Sequence, residues 1–114
     1  MSFALMILEN VLRMAEENGA RAVKKIRVEV GELLMVNPDQ LEFCFRAISK
    51  NTPAENADLE IETLKAKSLC QSCGSELESV HSRCSCGGWM EIRGGKEIVL
   101  RRIEMEVEDA QDRN

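Results

Sequence analysis

The chain has 114 residues, enough for one domain or for a domain with a small module, and its net charge is −5 with an isoelectric point near 5.0. An acidic chain lacks the basic face that a phosphate backbone requires, and one tryptophan, three phenylalanines and no tyrosine give little material for stacking bases, so nucleic acid is not an expected partner. No apolar run approaches the length of a membrane span and no basic stretch with a cleavage site opens the sequence, which predicts a cytoplasmic protein with no membrane partner.

In chain order, Phe3, Met6, Ile7, Val11, Met14 and Ala15 recur at spacings of three and four, the stripe of an amphipathic helix that should end near Asn18 and Gly19. Ile26, Val28 and Val30 alternate with Lys25, Arg27 and Glu29 as in a half-buried strand, which Gly31 ends or bends. Asn37 followed by Pro38 matches an N-cap with proline at the first helical position. Leu41, Cys44, Phe45 and Ile48 then form one face of a second helix running to about Lys50, with Cys44 read as a buried structural thiol. Asn51, Thr52 and Pro53 stop it, and Leu59, Ile61 and Thr63 alternate with Glu60 and Glu62 as a second strand.

Cysteines follow in two close pairs, Cys70 and Cys73 in the run CQSC and Cys84 and Cys86 in the run CSC. Thiolates so spaced can turn toward one ion, and two pairs supply the four soft ligands that tetrahedral Zn²⁺ prefers. Gly74, Gly87 and Gly88 suit the tight turns of such knuckles. The alternatives are free buried thiols or two disulfides; disulfides are rare in the reducing compartment expected here. A gap of one residue in place of two makes the second knuckle tighter than the first. This segment is too short to bury a core, so metal must supply its folding energy, on the order of 10 to 16 kcal/mol for structural Zn²⁺ in small fingers. His81, the sole histidine, lies between the pairs and reads either as a solvated loop residue or as a secondary metal ligand replacing one cysteine of the tight pair.

After the cysteines, Gly94 and Gly95 make a turn, and Ile98, Leu100, Ile103, Met105 and Val107 form one long strand or two, with a change of phase between Leu100 and Ile103. The expected fold is α+β: two helices on a small three-stranded mixed sheet, with an inserted four-cysteine, zinc-ribbon-like module at 67–95. The remainder, 1–66 and 96–114, forms the main domain, and its polar end from Glu108 to Asn114 is expected to fray. Met1, Met6, Met14, Met35, Met90 and Met105 are scattered and read as core packing. The acidic residues Glu29, Glu32, Glu60, Glu62, Glu104 and Glu106 fall on strand edges with no pair at catalytic spacing, so no enzyme activity is expected. Two other classes keep a foothold: a thiol redox enzyme using Cys70 and Cys73, disfavoured because Gly74 follows directly, and a zinc-ribbon interaction module using Arg83, Trp89, Arg93 and Lys96.

The run from Val28 to Leu33, then Leu41 and Phe43 to Phe45, the run Thr52 to Ala57 leading into Leu59 to Ile61, and the cysteine pairs followed by Ile103, Glu104 and Met105 together resemble the HypA/HybF family of hydrogenase nickel-insertion proteins. The resemblance covers nearly the whole chain. It implies a nickel metallochaperone for maturation of [NiFe] hydrogenase, and in some organisms of urease, with nickel as transient cargo and structural zinc on Cys70, Cys73, Cys84 and Cys86. It implies as partners a HypB-type GTPase and the hydrogenase large subunit, with residues 1–66 and 96–114 as the nickel-handling domain of a monomer. Family members begin Met, His, Glu, where the amine, nearby amides and imidazole make a square-planar nickel site, whereas Met1, Ser2 and Phe3 stand here. The resemblance therefore does not carry nickel ligands onto Met1 and Ser2. The alternative function is a zinc-ribbon module that binds protein or nucleic acid without delivering nickel.

Overall fold

The computed structural model describes residues 2–107, so Met1 and the tail from Glu108 to Asn114 lie outside the described residues, as does the side chain of Ser2. Helix α1 (Ser2–Glu17) buries Ala4, Ile7, Leu8, Val11 and Ala15, a stripe at steps of three, one, three and four, and packs against a second helix, α2 (Pro38–Ile48). The buried face is rotated from the one expected, because Met6 and Met14 are exposed and Ala4 and Leu8 take their place. Apolar residues surround much of the first turns of α1, so period alone leaves the choice of face to tertiary packing. The helix ends as expected: Gly19 adopts φ +66°, and its N–H donates to the Glu16 carbonyl at 3.1 Å.

Strand β1 (Ala20–Gly31) lies between β2 (Asp58–Leu64) and β6 (Ile98–Val107) in the three-stranded mixed sheet. As the central strand it buries Val23, Ile26, Val28 and Val30, while Lys24 and Arg27 face solvent. β6 is a single strand. Its change of phase is real, since exposed Arg101 and Arg102 stand together between half-buried Leu100 and Ile103.

Between β1 and α2 the chain makes a short 3₁₀ turn, Glu32–Leu34, closed by Met35 at φ +55°. Asn37 then caps α2, its side-chain oxygen accepting from the N–H of Asp39 at 2.9 Å and of Gln40 at 3.2 Å, with Pro38 at the first position. Leu41 and Phe45 are buried, but Cys44 is only half-buried; it sits at the margin of the stripe, one residue's rotation from Phe45. The Thr52 hydroxyl donates to the Ser49 carbonyl at 2.6 Å and accepts from the Ala54 N–H at 3.1 Å. These bonds coil the connection so that Ala54 and Ala57 are buried. The methionines do not fill the core as expected: none of the described ones is buried, and Met35 on its turn is 89% exposed.

A second sheet was not anticipated strand by strand. β3 (Lys67–Cys70) is flanked by β4 (Glu76–Leu77) and β5 (Met90–Arg93), both antiparallel, with Leu69 opposite Glu76 on one side and Cys70 opposite Met90 on the other. The chain forms two compact units. One combines the segment ending at Val28 with Asn37–Ile61 and the strand from Leu100; the other combines Glu29–Val36 with Glu62–Val99. The first holds nearly all the large buried apolar side chains. In the second, Val30 is covered, and the other covered side chains are small, among them Ala66, Ser68 and Cys70.

Backbone approach replaces side-chain packing in that second unit. The N–H groups of Gly31 and Leu33 donate to the carbonyls of Glu97 and Gly95, each at 2.8 Å, and the Glu32 carboxylate accepts from the Ala66 N–H. A Cβ on Gly31 would fall on the backbone of Gly95 and Lys96. Gly31→Ala is therefore expected to lower unfolding free energy by about 1 to 3 kcal/mol, the usual cost of overpacking, and Asn37→Ala by about 1 kcal/mol through the lost cap. Urea denaturation of both variants checks this, and a Gly31→Ala chain as stable as the parent would contradict it.

Candidate metal centre

Cys70 ends β3, and the chain turns at once. The Cys70 sulfur accepts from the backbone N–H of Ser72 at 3.4 Å and of Cys73 at 3.3 Å, the Gly74 N–H returns to the Cys70 carbonyl at 3.1 Å, and the Cys70 N–H donates to the Ser75 carbonyl at 2.8 Å. That knuckle points Cys70 and Cys73 to one side. The second turn is shorter: the Cys84 N–H donates to the Gly88 carbonyl and the Gly87 N–H to the Cys84 carbonyl, both at 2.9 Å. Gly88 lies against the first knuckle, where a Cβ would approach the Cys70 sulfur to 2.9 Å and the Ser72 hydroxyl oxygen to 2.7 Å. Only a residue without a side chain lets the two turns close on each other.

The result is one group of four sulfurs, all within 4.8 Å of one another, with Cys70 to Cys86 at 3.5 Å and Cys73 to Cys84 at 3.6 Å. A disulfide requires about 2.05 Å, so these are not bridged pairs. Tetrahedral coordination with metal–sulfur bonds of about 2.3 Å spaces the sulfurs about 3.8 Å apart, close to the observed separations. The one-residue gap of the second pair thus does not prevent convergence. Cys70 is 2% exposed, Cys84 is half-buried, and Cys73 and Cys86 are exposed, so the group has one covered and one open side.

Acidity differs sharply across the group. Backbone N–H donation from Cys73 and Ser72 lowers the Cys70 thiol below its ordinary value. Ser75, through its hydroxyl and its backbone, lowers Cys73 to about 6. At Cys86 the N–H of Gly88 favours the thiolate, but the hydrogen bonds to the sulfurs of Cys70, Cys73 and Cys84 outweigh it and push the thiol up to about 12. Four sulfurs this close share protons because they cannot all carry charge together without a cation.

His81 stands apart from the four-sulfur group. Its Nε2 lies 2.7 Å from the Ser79 hydroxyl, and its backbone N–H donates to the buried Ser68 hydroxyl at 2.8 Å, which in turn donates to the Ser79 carbonyl at 2.7 Å. Ser68 thereby ties the loop between the cysteine pairs to β3. This serine, and Ser75 beside Cys73, escaped the sequence reading; only the Gly74-Ser75 pair directly after the first knuckle offered a signal. Arg83 and Arg93, candidates for a basic surface, are engaged internally, Arg83 on Trp89 and Arg93 on Glu91. Cys44, on α2, is not one of the cluster thiols.

Among the described residues, two helices, a three-stranded mixed sheet and a four-cysteine group able to hold a metal ion define a small α+β protein. Residues 1–105 match the family described as "Hydrogenase/urease nickel incorporation, metallochaperone, hypA", and the chain belongs to that HypA family of nickel metallochaperones. A hydrogenase maturation factor HypA of Archaeoglobus fulgidus is 50% identical over 107 residues, covering 94% of this chain and 97% of the relative. Its namesake from Chlorobaculum tepidum is 36% identical over 110 residues, covering 93% and 97%. Among solved structures, the solution structure of a HypA protein superposes with a TM-score of 0.73 at 19% identity, covering 94% of this chain and 95% of the other. That of the nickel metallochaperone HypA from Helicobacter pylori superposes at 0.68 and 19% identity, with 94% and 97% covered, and both agree with the fold.

The acidities give a pH dependence with a definite sign. A metal ion that takes up four thiolates must displace the Cys86 proton at any pH below about 12, and the Cys73 proton as well below about 6. Metal affinity should therefore rise with pH by at least about tenfold per unit near neutrality and more steeply below pH 6. Competition titration with a chromophoric chelator between about pH 5.5 and 8 measures this, and a flat profile would contradict it.

Proposed function

We propose that Cys70, Cys73, Cys84 and Cys86 hold one structural Zn²⁺ in a zinc-binding module at 67–95, and that residues 1–66 and 96–114 form the nickel-handling domain. The observation that carries the zinc assignment is the spacing of 3.5 and 3.6 Å between paired sulfurs in an all-cysteine set, the donor set zinc favours. In this reading zinc stays and nickel passes through. Family membership supplies the nickel role, and the nature of the family supports protein partners: a HypB-type GTPase and the large subunit of [NiFe] hydrogenase, with urease as a second destination.

The protein acts as a cytoplasmic monomer that transfers metal by association and carries out no catalysis. Cys70, Cys73 and Cys86, whose acidities are shifted by hydrogen bonds, belong to one four-sulfur group, an arrangement that suits metal binding better than a two-thiol redox reaction. Recruitment of Arg83 and Arg93 into contacts within the module weighs against nucleic acid as a partner. Ser2 opens α1 in backbone, and the nickel ligands at the family's N-terminal position are not assigned to Met1 and Ser2.

Elemental analysis and calorimetry on this chain, and on the double variant Ser2→His, Phe3→Glu that reproduces the family's opening, test the proposal. One zinc per chain is expected, with nickel affinity rising at least about tenfold in the variant as an imidazole joins the nitrogen set. Tight nickel binding by the unaltered chain would put the ligands elsewhere, with His81 and the cysteine module first to be tested. Absence of nickel binding by both would contradict the nickel-handling role and leave a zinc-stabilised interaction module.

A further inference from the structure

The two knuckles are not supported alike. In the first, the N–H of the residue three places on, Cys73, donates to the Cys70 sulfur at 3.3 Å. In the second, the N–H at the matching place, Gly87, donates to the Cys84 carbonyl. The missing residue of the CSC run has turned that amide away from the sulfur and toward the backbone. The Gly88 N–H still favours the Cys86 thiolate, and Cys84 gains its support from outside the turn: Arg83, just before it, donates from Nη1 to the Gly87 carbonyl at 3.2 Å, and its guanidinium carbon lies 4.2 Å from the centroid of the Trp89 ring.

These contacts close a loop around the shortened knuckle. Arg83 and Trp89 pair as an isolated antiparallel bridge, and the Met90 N–H donates to the Ser82 carbonyl at 3.1 Å just beyond it. The Trp89 carbonyl also accepts from the N–H of Gln71, inside the first knuckle, at 3.0 Å. Trp89 thus joins both turns through its backbone while its ring, 65% exposed, carries the arginine. The clamp lies on the sequence that flanks Cys84 and exposed Cys86.

We propose that Arg83, stacked on Trp89, is the positioning residue of the second knuckle and sets how slowly the four-thiolate centre releases its metal. Two effects act together. The guanidinium fixes the Gly87 carbonyl and hence the turn that carries Cys84 and Cys86; it also places a cation beside a centre whose four thiolates and one divalent ion carry a net charge of about −2. A planar, permanently charged group over an aromatic face does both, whereas lysine supplies only the charge. The inference rests on the metal-binding reading of the cysteine cluster.

The test is the rate at which the full-length chain, loaded with Co²⁺ and followed by its thiolate-to-metal charge-transfer band, loses metal to excess chelator. Arg83→Ala and Trp89→Ala are each expected to speed release about tenfold, the combined effect of one charge-assisted hydrogen bond and one cation–π contact. The double variant should be little faster than either, because both changes break the same clamp. Trp89→Phe should retain slow release and Trp89→Leu should not, and Arg83→Lys should recover only part. That pattern separates a π face from simple apolar cover. Release from Arg83→Ala within about twofold of the parent, multiplying effects in the double variant, or equal rates for the Phe and Leu substitutions would overturn the inference. A parent chain that develops no charge-transfer band would instead overturn the metal-binding reading beneath it.

Discussion

Four sulfurs within 4.8 Å of one another impose a charge problem that neither hydrogen bonds nor packing resolve. Each additional thiolate repels those already formed. Hydrogen bonds share the protons unevenly, with Ser75 lowering Cys73 to about 6 and the three neighbouring sulfurs pushing Cys86 up to about 12. A divalent cation relieves the repulsion at once. Apart from Val30, the covered side chains of the surrounding unit are small, alanine, serine and cysteine, and its strands β3, β4 and β5 have four, two and four residues. Burial of such small side chains contributes far less than the 1.5 to 3 kcal/mol, roughly, of a buried leucine or phenylalanine. A cation held by the four sulfurs would supply the stabilisation that so small a set of covered side chains lacks, and the hydrogen-bonded turns hold the sulfurs together for it.

The other unit is stabilised differently. Ile7, Leu8, Val11, Val23, Ile26, Val28, Leu41 and Phe45 are buried in it, and its helices carry an asparagine cap and a left-handed glycine end that need no metal. A nickel carrier benefits from this division in a simple way. Under the proposed assignment, a resident ion on soft thiolates and a nickel cargo held by other donors would be sorted by ligand chemistry. Acidic residues along β2 and β6, such as Glu60 and Glu106, are held in surface ion pairs with Lys25 and Arg21 at 3.0 and 3.2 Å and contribute little energy there.

Features that depend on local chemistry were legible in the sequence. Asn37-Pro38 announced α2 because both residues act on the first helical turn, Gly19 announced the end of α1, and the cysteine quartet announced a metal centre because few other uses explain two close pairs. Features settled by tertiary packing were not. The face of α1 rotated away from Met6 and Met14, and Cys44 moved to the margin of its stripe, because apolar residues were available on more than one side. Met35 is 89% exposed because a left-handed turn after β1, invisible to periodicity, carries it outward. The strands of the second sheet are too short to show a period, and the pairing of Arg83 with Trp89 joins residues whose composition suggested a nucleic-acid surface.

Amide hydrogen exchange on the metal-loaded and chelator-stripped protein reads each strand and helix separately and so shows which unit depends on the metal. Stripping is expected to remove protection from β3 and β5, Lys67–Cys70 and Met90–Arg93, while α2 and the buried face of α1 keep theirs. Unchanged protection in β3 and β5 without metal would contradict it, and so would loss of protection in the helices together with the strands.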